Sequence, residues 1–253
     1  MNACIGSSTI LTNTTSGGVW TTSNAAVATV NTITGNVTGV TAGTATITYT
    51  YTNSNGCTSA VTTTVTINAL PVVAAITGTT SVCEGATTTL ASTTTGGVWS
   101  TANTATATIN STTGVVTGVA AGTTTMTYTV TNANGCTSSV STALVVNAIP
   151  QVAAISGTTE VCVGLTTALA NATASGVWTS SNTAVATIDA SGVVTGVAAG
   201  STTITYTVTT NGCTANAQAV VNVNALPTLA AIGGTMNACI GSSTILTNTT
   251  SGG

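Results

Sequence analysis

The stretch GVWTTSNAAVATVNTITGNVTGVTAGTATITYTYTNSNGC, residues 18–57, decides how the whole chain is read. It returns as GVWSTANTATATINSTTGVVTGVAAGTTTMTYTVTNANGC over 97–136 and as GVWTSSNTAVATIDASGVVTGVAAGSTTITYTVTTNGC over 176–213. One unit is used three times, and self-similarity at such a period marks a serial architecture. Each copy runs from a Trp through a polar turn, an ATI or ATV strand, a VTGV strand and an Ala-Gly corner to an alternating strand closed by Asn-Gly-Cys.

In the second copy residues 123–131 alternate strictly, with Met126, Tyr128 and Val130 on one face and Thr on the other. That is the period of two of a half-buried strand. Asn134-Gly135 then makes a tight turn, since both residues tolerate positive φ, and 138–146 sends Val140, Leu144 and Val146 to one face. The inward set recurs as Ile47, Tyr49, Tyr51 and as Ile204, Tyr206, Val208. Upstream, 72–77, 87–92, 98–100, 105–110 and 115–119 read as five shorter strands, the first a β-branched run bounded by Pro and Gly. Thr, Val, Gly and Asn dominate and no apolar period of 3.6 exists, so helix is nowhere favoured. About seven short strands per repeat specify an all-β, antiparallel sandwich.

Cys4, Cys83 and Cys162 recur at a 79-residue step, and Cys239 follows 77 later. Residues 1–18 reappear letter for letter as 236–253, so Met1 matches an internal residue and the chain reads as a window from a longer tandem array with a three-domain super-period. The expected domains are 1–70, with its first strand missing, then 71–149 and 150–226, with 227–253 beginning a fourth repeat. The junctions NALP (68–71), NAIP (147–150) and NALP (224–227) carry Pro and a branched apolar residue in place of a Gly/Ser run. Such linkers are semi-rigid, and tandem sandwiches so joined form an extended rod.

Charge is almost absent: no Lys, Arg or His, and only Glu84, Glu160 and Asp189. A surface without cations cannot neutralise phosphates, which excludes nucleic acid and anionic lipid as partners. No run of 18 apolar residues exists to cross a membrane as a helix. Aromatics at 3% do not supply the girdles of an outer-membrane barrel, so no membrane insertion is expected. Edge strands normally carry charge that blocks pairing with neighbours, and its lack points to self-association, lateral or head-to-tail.

Two cysteines per repeat at fixed spacing can be disulfides, metal ligands or free thiols. Zinc wants four ligands, often with CxxC pairs or His, and the chain has neither. A nucleophilic Cys wants a base that is also missing. Disulfides Cys4–Cys57, Cys83–Cys136 and Cys162–Cys213 are therefore expected, each pinning the last hairpin to the start of its own domain, and with them an oxidising, extracellular setting. Cys239 opens the fourth repeat.

Trp20, Trp99 and Trp178, each 16 residues after a first Cys, read as structural core plugs. The three acids occupy different repeat positions and form neither a carboxylate pair nor a calcium cage, leaving them as solvated charge. No catalytic residue, metal site or cofactor is expected. Asn13, Asn36, Asn110, Asn171 and Asn248 stand in Asn-x-Ser/Thr sequons, so glycans are a candidate decoration.

The run VWTSSNTAVATIDASGVVTGVAAGSTTITYTVT, residues 177–209, resembles the bacterial Ig-like domain, group 2: a Trp, Ser-x-Asn, VATI, a Gly turn, VVTGVAAG and a T-I-T strand. The likeness covers about 35 residues of every repeat. The Cys pair and Asn-Gly-Cys ending are similar to Thr-rich repeats of very large secreted bacterial surface proteins. The resemblance implies an immunoglobulin-like sandwich on the cell surface, as in adhesins of the intimin and invasin type, where such domains act as stalks. It transfers no functional residue. Two functions follow: a structural stalk or filament, which equal repeats and stiff linkers favour, or an adhesion module whose repeat surface binds glycan or protein, which would call for loops that differ between repeats.

Overall fold

The computed structural model describes residues 1–234 and 237–250; the remainder of the expected fourth repeat, 235–236 and 251–253, lies outside the described residues. Every regular element among the described residues is a β-strand.

Repeat 1 holds β1 (Asn2–Cys4), β2 (Ser8–Ile10), β3 (Val19–Thr22), β4 (Ala28–Val30), β5 (Asn36–Gly39), β6 (Gly43–Thr52) and β7 (Thr58–Asn68), in sheets β1-β7-β6-β3 and β2-β5-β4. Repeat 2 holds β8 (Thr77–Gly78), β9 (Ser81–Cys83), β10 (Thr87–Ala91), β11 (Val98–Thr101), β12 (Ala107–Ile109), β13 (Val115–Gly118), β14 (Gly122–Thr131) and β15 (Thr137–Asn147), in sheets β9-β15-β14-β11 and β8-β10-β13-β12. Repeat 3 copies this with β16 (Ser156–Gly157), β17 (Glu160–Cys162), β18 (Thr166–Ala170), β19 (Val177–Ser180), β20 (Ala186–Ile188), β21 (Val193–Gly196), β22 (Gly200–Thr210) and β23 (Cys213–Asn224). In the tail, β24 (Gly233–Gly234) pairs with β25 (Leu246–Thr247). Each repeat is thus an Ig-like sandwich of two sheets. The chain divides into two compact units, Met1–Ala148 with the first two repeats and Ile149–Gly253 with the third and the tail.

Alternation builds the cores. Along β14, Met126, Tyr128 and Val130 are buried, and they meet Leu144 and Val146 of β15 over Val116 and Leu90 of the facing sheet. The same positions make separate cores in repeat 1, around Ile47 and Val65, and in repeat 3, around Ile204 and Val221. Tyr51 departs from its expected inward place: it is 36% exposed where its counterpart Val130 is 7%. In repeat 2 the segment holding Val73 and Ile76 packs on the core, and repeat 1 has no such cover among the described residues.

Trp20 and Trp99 are buried and Trp178 half-buried. Each lies against the Tyr opposite it on the next strand, with ring centroids 4.6 Å apart. The Tyr hydroxyl is a tie as well. Tyr128 donates to the Thr94 carbonyl at 2.8 Å and accepts from the Gly97 amide at 2.9 Å; Tyr49 and Tyr206 make the same two bonds to Thr15 and Gly18 and to Thr173 and Gly176. A buried phenol satisfied in both directions retains its aromatic burial without a desolvation penalty.

Two strand expectations change. Residues 72–77 were expected as a ladder strand, but only Thr77–Gly78 pairs; the rest is held by side chains, with the Ala74 amide donating to Thr94 Oγ1 at 2.9 Å and Ser92 Oγ to the Ala74 carbonyl at 3.1 Å. The first-cysteine strands β1, β9 and β17 are additional, and they run parallel to the last strand of their own repeats, β7, β15 and β23.

Candidate functional site

That parallel ladder governs the cysteines. It sets Cys4 opposite Asn68, Cys83 opposite Asn147 and Cys162 opposite Asn224, at the far end of the last strand. The second cysteine stands at the near end: Cys57 precedes β7, Cys136 precedes β15, and Cys213 opens β23. Eleven extended residues separate the two ends by about 35 Å, whereas a disulfide requires Cα atoms within about 7 Å. The expected pairings within repeats, Cys4–Cys57, Cys83–Cys136 and Cys162–Cys213, are therefore corrected. Cys4 is bonded to Cys136, across the joint between repeats 1 and 2, with Cα atoms 5.6 Å apart. Cys83 and Cys213 are also disulfide-bonded, whereas Cys57, Cys162 and Cys239 are free thiols.

The joint is built from the turn that closes repeat 2. Asn132 Oδ1 accepts from the amides of Asn134 and Cys136, both at 3.0 Å, folding the chain into a side-chain-closed loop. Gly135 takes the left-handed conformation, φ 78°, that completes it. The free side of the same side chain crosses to repeat 1, Asn132 Nδ2 donating to the Ala69 carbonyl at 2.9 Å. Cys136 is fully buried there. Repeat 1 folds the identical turn, with Asn53 Oδ1 accepting from Asn55 and Cys57 and Gly56 at φ 79°, yet Cys57 is exposed. The turn presents the thiol, and the end of the preceding repeat receives it. Legible in the sequence were the turn and the Cys spacing; the missing signal was the three-residue parallel strand, whose partner lies more than sixty residues on.

The acids are used locally. Glu84 Oε1 accepts from the Ala121 amide at 2.8 Å, and Asp189 Oδ1 from Ser191 and Val193, replacing the Asn31 and Asn110 that fold the same turn elsewhere. Among the described residues no three His, Cys, Asp or Glu side chains cluster as metal ligands. Glu160 binds Asn222 Nδ2 at 2.7 Å and Asn224 Nδ2 at 2.9 Å, tying β17 to β23. Those bonds, Asn222 first, hold its carboxyl below the ordinary glutamate range. A lowered carboxylate stabilises the fold above its unfolded-state pKa, and the gain is lost as pH falls through the folded value. Amide exchange at β17 is accordingly expected to quicken on acidification below the usual glutamate range, and Glu160→Gln to remove that dependence; the effect is small, because the group is solvated.

A model of the family described as bacterial Ig-like domain (group 2) matches residues 7–62 and 144–221, over half of the chain. No curated protein matches it. Among solved structures the chain is similar to surface layer protein SbsC, domains 1-6, at 18% identity, covering 93% of this chain and 40% of that one with a TM-score of 0.27. It is similar to Drosophila N-cadherin EC1-4 at 13% identity, covering 91% and 72% with a TM-score of 0.24, and to mouse cadherin-23 EC22-24 at 12%, covering 89% and 95% with a TM-score of 0.25. The chain spans about two fifths of the surface-layer structures it matches. With its family model matched and its repeats folded as two-sheet sandwiches, the chain belongs to the bacterial Ig-like domain (group 2) family.

Proposed function

We propose that this chain is the structural repeat region of an extracellular bacterial surface protein, working as a stalk or filament. One observation carries the reading: the Cys4–Cys136 bond joins consecutive repeats. A disulfide inside a sandwich steadies that sandwich, whereas one between sandwiches steadies the joint. It runs beside the linker Ala69-Leu70-Pro71, so a pull along the chain is shared by two covalent paths and bending at the joint is restrained. Such bonds persist in oxidising compartments, which supports a place outside the cell. Near-identical Thr, Ser, Asn and Gly loops suit spacing better than selective recognition, and membership of the family agrees.

The test is labelling of cells that make the native protein, with an antibody raised against repeat 2. Intact cells are expected to label, external protease to remove the label, and Cys4 and Cys136 to resist alkylation until reduced. Labelling only after lysis, with both thiols reactive, would overturn the reading.

A further inference from the structure

The last strand of repeat 2, which has a repeat on either side of it in the chain, is paired along the whole of one side and only at one end of the other. β14 pairs with β15 without a bulge from Thr137 to Val146. On the opposite side β9 takes only Val145 to Asn147. The bonds there show which groups face away from β14: the Val145 amide donates to the Thr80 carbonyl at 2.9 Å, and the Asn147 carbonyl accepts from the Glu84 amide at 3.0 Å. Backbone groups alternate between the two sides residue by residue. The amides and carbonyls of Thr137, Ser139, Ser141 and Ala143 therefore point the same way, beyond the reach of β9, and none has a partner among the described residues.

An open edge of this kind is normally blunted by Lys, Pro, a bulge or an inward charge. Residues 137–143, TSSVSTA, carry none of these, and the four outward residues are small and exposed. The edge is also self-complementary. Laid antiparallel on a second copy of itself about a two-fold axis at Val140, it sets Thr137 opposite Ala143 and Ser139 opposite Ser141. All four residues then exchange both backbone bonds. Between them Val140 meets the second copy's Val140 in a non-hydrogen-bonded pair, where Cα atoms stand about 4.5 Å apart and side chains touch. Val140 is half-buried at the margin of the core, so this contact covers apolar surface that a single sandwich leaves in water. The edge of β23 in repeat 3 has the same form through Thr214, Asn216 and Gln218, but its centre is Ala217, a smaller anchor.

We propose that β15 of this chain pairs with β15 of a second copy, joining two four-stranded sheets into one. The same patch is used on both copies, so the association is isologous and closes as a dimer. Backbone bonds supply the attachment, as in strand addition generally, and the Val140 pair fixes the register. The pairing goes beyond the stalk reading, to which it adds a bond between neighbouring chains side by side.

The test is sedimentation of the full chain over a wide concentration range, with the register read by cysteine cross-linking. A reversible dimer is expected. Ser141→Pro removes one edge donor at a position where the amide faces water in the monomer and proline is tolerated. Ser139→Lys adds a blocking charge, and each variant should weaken the dimer at least about tenfold. Thr125→Lys, exposed on the same face but one strand in from the edge, should leave it unchanged. With oxidised glutathione, Val140→Cys should give a covalent dimer bridged through position 140 of both copies, since the facing Cα atoms lie within disulfide reach. Ser138→Cys, which faces the second copy's Thr142, should give no bridge through position 138. A monomer at every concentration, a dimer indifferent to Ser141→Pro and Ser139→Lys, or bridging through 138 in preference to 140 would overturn the proposal. A monomer that still holds the Cys4–Cys136 bond sinks edge pairing alone and leaves the stalk reading standing.

Discussion

Cys136→Ser should lower the stability of the first unit by about 5 kcal/mol, the chain-entropy value for its loop. The bond spans 132 residues, so in the unfolded chain it removes more freedom than the roughly 50-residue loop of a bond within one repeat would. Both repeats share the loss, since the cross-link holds one end in each. At roughly 2–4 °C per kcal/mol for a unit of this size, the melting temperature should drop by more than ten degrees. Cys57→Ser is the matched control. Its thiol is exposed and free, so it should melt as the parent does. Calorimetry of the two variants under oxidising buffer, with the parent under reductant as reference, reads both effects.

Gly97→Ala should cost repeat 2 about 3 kcal/mol or more, by overpacking and by loss of two hydrogen bonds. An added Cβ would stand 2.4 Å from Cζ of Tyr128 and 2.8 Å from the Thr129 carbonyl. The ring must leave, breaking its bonds to Thr94 and Gly97 and its contact with Trp99. The neighbouring Gly96 is the comparison. It has positive φ, 80°, with nothing within 4 Å of its would-be Cβ, so Gly96→Ala should cost only the left-handed strain of about 1 kcal/mol. Denaturant unfolding followed by Trp emission separates the two; equal effects would mean that the Tyr tie is not what holds that glycine.

What the sequence displays well is whatever depends on neighbours along the chain. The β14 alternation and the Asn-Gly turns are local, so Met126, Tyr128 and Val130 could be assigned inward and Gly135 to a turn. The Gly-Val-Trp start was visible, but not its reason, because Tyr128 approaches Gly97 from 31 residues away. Residues 72–77 have the composition of a strand, yet Ala74 is fastened by Ser92 and Thr94 in place of a ladder, and no propensity distinguishes those fates. Ser81–Cys83 is too short to alternate, and only its parallel register with Asn147 reveals that the first cysteine lies at the far end of β15. Recurrence of two cysteines in every repeat, 53, 53 and 51 residues apart, suggested pairing within it, although the 26 residues from each second cysteine to the next first one recur just as faithfully.

The decisive measurement is the disulfide map of the unreduced protein. With no Lys or Arg in the chain, trypsin has no site, and cleavage at Tyr, Trp and Leu must be used. A linked peptide pair containing Cys4 and Cys136 is expected. A pair containing Cys4 and Cys57 would mean that the cross-links lie inside the repeats and that the joints between them are not covalently clamped.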